Sequence, residues 1–168
     1  MRVFPLKTMK LRTKQLDSSY GATFGQVRNW NAESKHFTKF HQGWDLEAPT
    51  GTDCYAVADG IVVAVGVHPQ FGRYVNLQFN ESATAPRSSA PGDLFAFYAH
   101  LSLALVHVGQ SVRAGEKIGL TGHSGNASAS APHLHFEIRS TSTTSPGLGA
   151  SGRVDPAKVL GYGFLRSI

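Results

Sequence analysis

Apolar and polar residues alternate over short stretches of this chain, and each stretch ends at Gly, Pro, Asn or Ser. Runs at 54–58, 60–67, 73–79, 94–101, 116–121 and 133–139 follow this rule. It is the pattern of short β-strands with one face against a core. Asp59-Gly60 and Pro69-Gln70-Phe71-Gly72 carry hairpin-turn chemistry. Ser, Ala and Pro dominate residues 80–93, which read as a long hairpin loop of the kind that often serves function. Helical periodicity is scarce. It is confined to the end, where Val154-Asp155-Pro156-Ala157-Lys158-Val159-Leu160 predicts a short helical turn with a proline at its start. Together these elements predict an all-β domain.

Ahead of residue 45 the pattern weakens. Residues 1–20 mix basic and apolar positions without a period and read as a tail or an edge strand. Glycines punctuate 20–25, a loop expected to run toward a functional site. Residues 26–40 are polar and aromatic with no sustained period, so a loop is predicted there, with His36 exposed. Residues 140–152 are a Ser/Thr/Gly loop.

One strand carries unusual chemistry. In Ala131-Pro132-His133-Leu134-His135-Phe136-Glu137-Ile138, alternation puts His133 and His135 on one face and apolar residues on the other. Two imidazoles on one face can share a metal ion, or one can bind it while the other handles protons. Upstream, His41-Gln42-Gly43-Trp44-Asp45 spaces an imidazole and a carboxylate four residues apart. That offset places both on one face of either a helix or a strand. His41, Asp45 and one histidine of the pair make a three-ligand zinc set with a fourth position open, which is the catalytic arrangement. His100 closes the apolar run 94–101, where it is either a core residue or a site residue. Tyr98 is read as a packing residue.

Composition adds bounds. At 168 residues the chain can bury a true core as one domain. Its single cysteine, Cys54, sits in an apolar run and is read as a small buried hydrophobe. A net charge of +5 and a pI near 9.6 favour an anionic partner, either nucleic acid or an anionic cell wall. Arg2, Lys7, Lys10, Arg12 and Lys14 cluster near the start, but no nucleic-acid motif follows, so the cluster is read as a solvated segment. No apolar stretch of a signal peptide follows these charges, and no run reaches the ~18 residues of a membrane helix. Neither nucleic-acid binding nor membrane insertion is expected.

Taken together, the motifs resemble the lysostaphin/LytM-type zinc metallopeptidases, which cut peptide bonds in bacterial peptidoglycan. Four elements carry the resemblance in order: His-x-x-x-Asp at His41 and Asp45, the run Gly51 to Val62, Tyr-x-His-Leu at Tyr98 to Leu101, and Thr121-Gly122 through Pro132-His133-Leu134-His135-Phe136-Glu137. Val154-Asp155-Pro156 also fits the family. The resemblance implies a mainly β domain of antiparallel sheets forming a groove over a zinc site. It spans residues 20–162, between a basic segment at 1–19 and a tail at 163–168. It implies His41, Asp45 and His135 as zinc ligands and His100 and His133 as the catalytic pair. Substrate contacts are assigned to Arg28 and to His123, in the turn before the histidine strand. Arg28 follows Phe24-Gly25 with one residue more than the family spacing. His36, His68 and His107 lack a partner at ligand spacing.

The implied function is a zinc endopeptidase acting on stem or bridge peptides of peptidoglycan, in the periplasm or the extracellular wall. The rival is a catalytically silent domain of the same fold that binds or activates another wall hydrolase. The lack of an evident signal peptide points to a phage lysin or an injected antibacterial toxin, and a toxin implies an immunity protein that plugs the groove.

Overall fold

The computed structural model describes residues 1–80 and 92–164. Residues 81–91 of the loop expected across 80–93, and most of the 163–168 tail, lie outside them. The strands are β1 (Gly25–Asn31), β2 (His36–His41), β3 (Trp44–Glu47), β4 (Asp53–Tyr55), β5 (Gly60–His68), β6 (Gly72–Asn80), β7 (Asp93–Leu101), β8 (Leu103–Ala104), β9 (Ser111–Val112), β10 (Lys117–Leu120), β11 (His133–Arg139) and β12 (Arg153–Val154), followed by a short helix, α1 (Pro156–Leu160). All the pairings are antiparallel. The main sheet runs β12-β11-β7-β6-β5-β9, with β3 also on β11, and β4-β10-β8 form a second sheet.

β11 is buried along its whole length. Leu134, Phe136 and Ile138 enter the main core beside Trp44, Leu46 and Tyr98, each contributing about 1.5–3 kcal/mol of burial. Alternation sends His133, His135, Glu137 and Arg139 to the opposite face. The register sets His135 opposite Asp45 on one side and opposite Ala99 on the other. Tyr98 donates its hydroxyl to the Tyr55 carbonyl and accepts from the Val57 amide, which fits a packing residue. At α1, Asp155 accepts from the Ala157 amide, Pro156 opens the helix, and Gly161 closes it at φ 66°.

Two expectations change, and one left open is decided. Residues 26–40 form a hairpin of β1 and β2 rather than a loop. It stands off the core with most side chains exposed, so no alternating apolar pattern is needed. The Trp30–Phe37 and Phe24–Phe40 ring pairs, each 5.1 Å between centroids, hold it. Asp59-Gly60 is not a hairpin turn, because β4 pairs with β10 while β5 pairs with β6 and β9. Of the two readings open for the first residues, tail or edge strand, the structure favours the edge. Val3 and Glu47 donate backbone N–H groups to Val57 and Lys10, Arg12 donates to Asp45, and Leu6 is in the core.

Candidate metal centre

His41 ends β2 and Asp45 lies in β3, with Gln42 and Gly43 between the strands. The pair therefore shares neither a helix nor one strand, contrary to what the spacing predicts. A two-residue break turns both side chains to one point. Gly43 is required there, since a Cβ would lie 2.2 Å from the Phe136 carbonyl oxygen. Asp45 is brought beside His135 by the β3–β11 register.

His100 arrives differently. On β7, Ala96 and Tyr98 face the main core while Phe97 and Ala99 face the site side, yet Leu101 is again in the main core. Regular alternation would bury His100 on the wrong side. Its φ of 60° breaks the alternation and delivers the imidazole to the site, at a backbone cost of about 1–2 kcal/mol.

The partners of four imidazoles define their tautomers. His41 donates Nδ1–H to the Thr23 carbonyl (2.8 Å), His133 to Ala131 (2.8 Å) and His100 to Ser124 (2.7 Å). Each leaves Nε2 unprotonated, with its lone pair toward the site. His135 is reversed: its Nε2–H donates to Glu137 Oε1 at 2.8 Å and its Nδ1 faces Asp45 Oδ1 at 2.8 Å.

His41 Nε2, Asp45 Oδ1 and His135 Nδ1 thus converge. His41 Nε2 is 3.4 Å from His135 Nδ1 and 3.2 Å from Asp45 Oδ1. Tetrahedral bonds of about 2.0–2.1 Å set donor atoms about 3.3 Å apart. Two edges of the triangle already fit, and the third needs to open by about half an ångström. Among the described residues this is the one group of His, Cys, Asp or Glu with metal-holding proximity. The donor set suits a divalent ion such as zinc.

Electrostatics tell the same story. Burial drives the His41, His133 and His100 pKa values down, to about 3 for His100. His135 moves up: burial opposes its charge, but Asp45 and Glu137 outweigh burial. Burial acts to raise Asp45 too, yet His41 and His135 hold its carboxyl well below the usual range. In the metal-free protein His135 therefore keeps a second proton toward Asp45, which a cation would displace.

Asp45 Oδ2 is taken by two guanidiniums, Arg12 Nη2 at 2.8 Å and Arg28 Nη2 at 2.5 Å. The extra residue before Arg28 is absorbed by a bulge between Gln26 and Arg28, so Arg28 still reaches the site. Arg12, expected in a solvated segment, is instead buried against a site carboxylate, and no motif marks it. Glu137 shares the His135 face by alternation, a signal that was legible. A groove of about 640 Å³ covers the centre, walled by Arg28, Lys39, Phe40, Gln70, Asn126 and Leu148 among others. His100 and His133 line it, 4.9 Å apart between ring centroids. His123 is exposed and is not among its lining residues. His36 is exposed as well.

The profile of "Peptidase family M23" matches residues 39–146. Peptidoglycan DD-endopeptidase ShyA of Vibrio cholerae is 38% identical over 98 residues, covering 58% of this chain and 20% of that protein. The chain thus spans about a fifth of the length of such curated relatives. A zinc containing peptidase from Vibrio cholerae superposes with a TM-score of 0.60 at 28% identity, over 94% of this chain and 38% of that one. The catalytic domain of the antimicrobial peptidase lysostaphin from Staphylococcus simulans shares the fold, with a TM-score of 0.59 at 23% identity over 96% and 92% of the two chains.

Proposed function

The chain belongs to peptidase family M23, and from that membership we propose that it is a zinc-dependent endopeptidase hydrolysing peptide bonds of bacterial peptidoglycan. The observation that carries the proposal is the convergence of three lone-pair donors, His41 Nε2, Asp45 Oδ1 and His135 Nδ1, on the floor of an open groove. These three are the proposed ligands. A bound zinc supplies Lewis acidity toward water and the scissile carbonyl.

The chain's own residues supply the rest. His133 Nε2 lies 3.8 Å from Asp45 Oδ1, beside the proposed zinc position, and its Nδ1–H is fixed on Ala131. It is neutral with a free lone pair, as a base for the attacking water must be. His100, held on Ser124, presents its own Nε2 to the same space. The pair can take the water's proton, pass it to the leaving amine, and hold the oxyanion as it develops. Arg12 and Arg28 hold Asp45 Oδ2 and so aim Oδ1 at the ligand position. The groove, with Arg28 and Lys39 on its walls, suits an extended peptide bearing carboxylates. The ShyA relatives are peptidoglycan DD-endopeptidases by name, which favours stem-peptide cross-links over glycine bridges. The site of action is then the wall. No described helix is long and apolar enough to cross a membrane.

The test is digestion of purified cross-linked muropeptides followed by mass spectrometry, with zinc content measured in parallel. One zinc per chain is expected, with cleavage lost on chelation and reduced about 10²–10⁴-fold in His133→Ala. Failure to cleave any muropeptide, with or without bound zinc, would overturn the proposal and support the silent-domain rival.

A further inference from the structure

Beneath the groove lies a buried ionic hub that hydrolysis itself leaves unexplained. Glu137 is fully buried. Its Oε1 accepts from His135 Nε2–H and its Oε2 from Arg139 Nε–H at 2.8 Å, while Arg153 Nε lies 2.6 Å from Oε2 as an ion pair outside hydrogen-bond geometry. Two guanidiniums carry more N–H donors than one carboxylate can satisfy. Part of the surplus goes to the main chain of the loop at 140–152, whose carbonyls have few ladder partners of their own, while the buried Arg139 Nη2 has no hydrogen-bond partner among the described residues. Arg139 Nη1 donates to Thr143 and Ser145, at 2.6 and 3.2 Å. Arg153 Nη2 donates to Ser145 and Pro146, at 2.9 and 2.8 Å, and its Nη1 to Ser151 at 3.3 Å.

This loop is one wall of the groove: Pro146, Gly147, Leu148 and Gly149 line it. Gly147, at φ 60°, lies against the Arg153 guanidinium, and Gln42, next to His41, donates to the Gly149 carbonyl at 3.0 Å. Arg139 has a further anchor, its guanidinium carbon lying 3.8 Å from the centroid of the Phe97 ring. Arg153 is the arginine that bridges the carboxylate and the groove-lining end of the loop. It also lies beyond the family-matched residues 39–146.

We propose that Arg153 is a positioning residue that sets, with one side chain, both the imidazole plane of His135 and the Pro146–Gly149 wall that meets the substrate. It acts on the imidazole through Glu137 and on the wall through loop carbonyls. Metal grip and substrate fit are therefore tied together in this chain. The inference rests on the reading of the site as a zinc endopeptidase.

Two variants of the full chain test it, with zinc affinity measured by chelator competition and KM and kcat measured on a cross-linked muropeptide at saturating zinc. Arg153→Gln loses both duties. Its zinc affinity should fall about ten-fold or more, and its KM should rise by a larger factor than kcat falls. Arg153→Lys keeps a cation beside Glu137 but cannot reach the fork of carbonyls, so its zinc affinity should stay close to wild type while KM rises. A merely structural arginine would lower thermal stability in both variants without this split. Unchanged zinc affinity in a folded Arg153→Gln, or unchanged KM in Arg153→Lys, overturns the inference. If Arg153→Gln does not fold, the Lys variant alone decides through its KM. A wild-type protein that neither binds zinc nor cleaves would instead sink the functional reading on which this one stands.

Discussion

His100 shows how much can depend on one backbone angle. A left-handed conformation at a residue with a Cβ is tolerated only because the surroundings fix it, here through the Phe71 carbonyl on its amide and Ser124 on its ring. Replacing it by glycine relieves the backbone cost, whereas alanine keeps the cost and also loses the ring. His100→Gly should therefore be about 1 kcal/mol more stable than His100→Ala in denaturant titrations, with both inactive. Equal midpoints would show that φ 60° carries no strain. Cys54 offers a second test. Burial, with Asp53 adding to it, pushes its thiol from 9.0 up to about 12. The folded state thus keeps a proton that the unfolded chain releases near pH 9. The stabilisation is complete below pH 9 and declines as pH rises toward 12. A thiol reagent at pH 8 should leave the native protein unlabelled and label it fully in denaturant; stoichiometric labelling of the native form would contradict this burial. At this scale local spacing in the sequence put His41 near Asp45 and His133 near His135, whereas the gathering of the two pairs depends on the β3–β11 register. Arg12 and Arg153 were invisible as site residues, since each meets its carboxylate only after distant segments pair.

Strands were legible wherever apolar residues recur at every second position or in a nearly unbroken run, as in β5, β6, β7 and β11, the last two of which are buried on both faces. They were missed in β1 and β2, where both sides meet solvent and no period survives. The ligand spacing predicts one continuous helix or strand, whereas β2 and β3 are separate strands joined through Gln42 and Gly43. That glycine is required by close approach: an added methyl would collide with Phe136 in β11. Gly43→Ala should cost about 1–3 kcal/mol and weaken zinc binding as well, because the break that aims His41 and Asp45 must shift. A thermal melt and a chelator titration on the same sample would check both. Loss of stability with unchanged zinc affinity would mean that the ligands do not depend on this contact.

Across the whole molecule, the antiparallel β architecture and the groove agree with what the motifs implied, and the family match accounts for residues 39–146. The departure lies in the first dozen residues. Leu6 is in the main core, Leu11 bridges to Leu46, and Arg12 holds Asp45. Zinc added to the metal-free protein should raise its melting temperature, by an amount set by RT ln(1 + [Zn]/Kd). Arg12→Met should shrink that increment, since it frees one side of the Asp45 carboxylate; an unchanged increment would show that Arg28 suffices.

The anchoring of that first segment carries a practical consequence. A protease nick between Arg12 and the hairpin would leave the catalytic sequence motifs uncut yet unlatch the brace on Asp45. Activity could then be lost from a protein whose signature residues all survive, so intactness of the front end is worth confirming by mass before any preparation is judged inert.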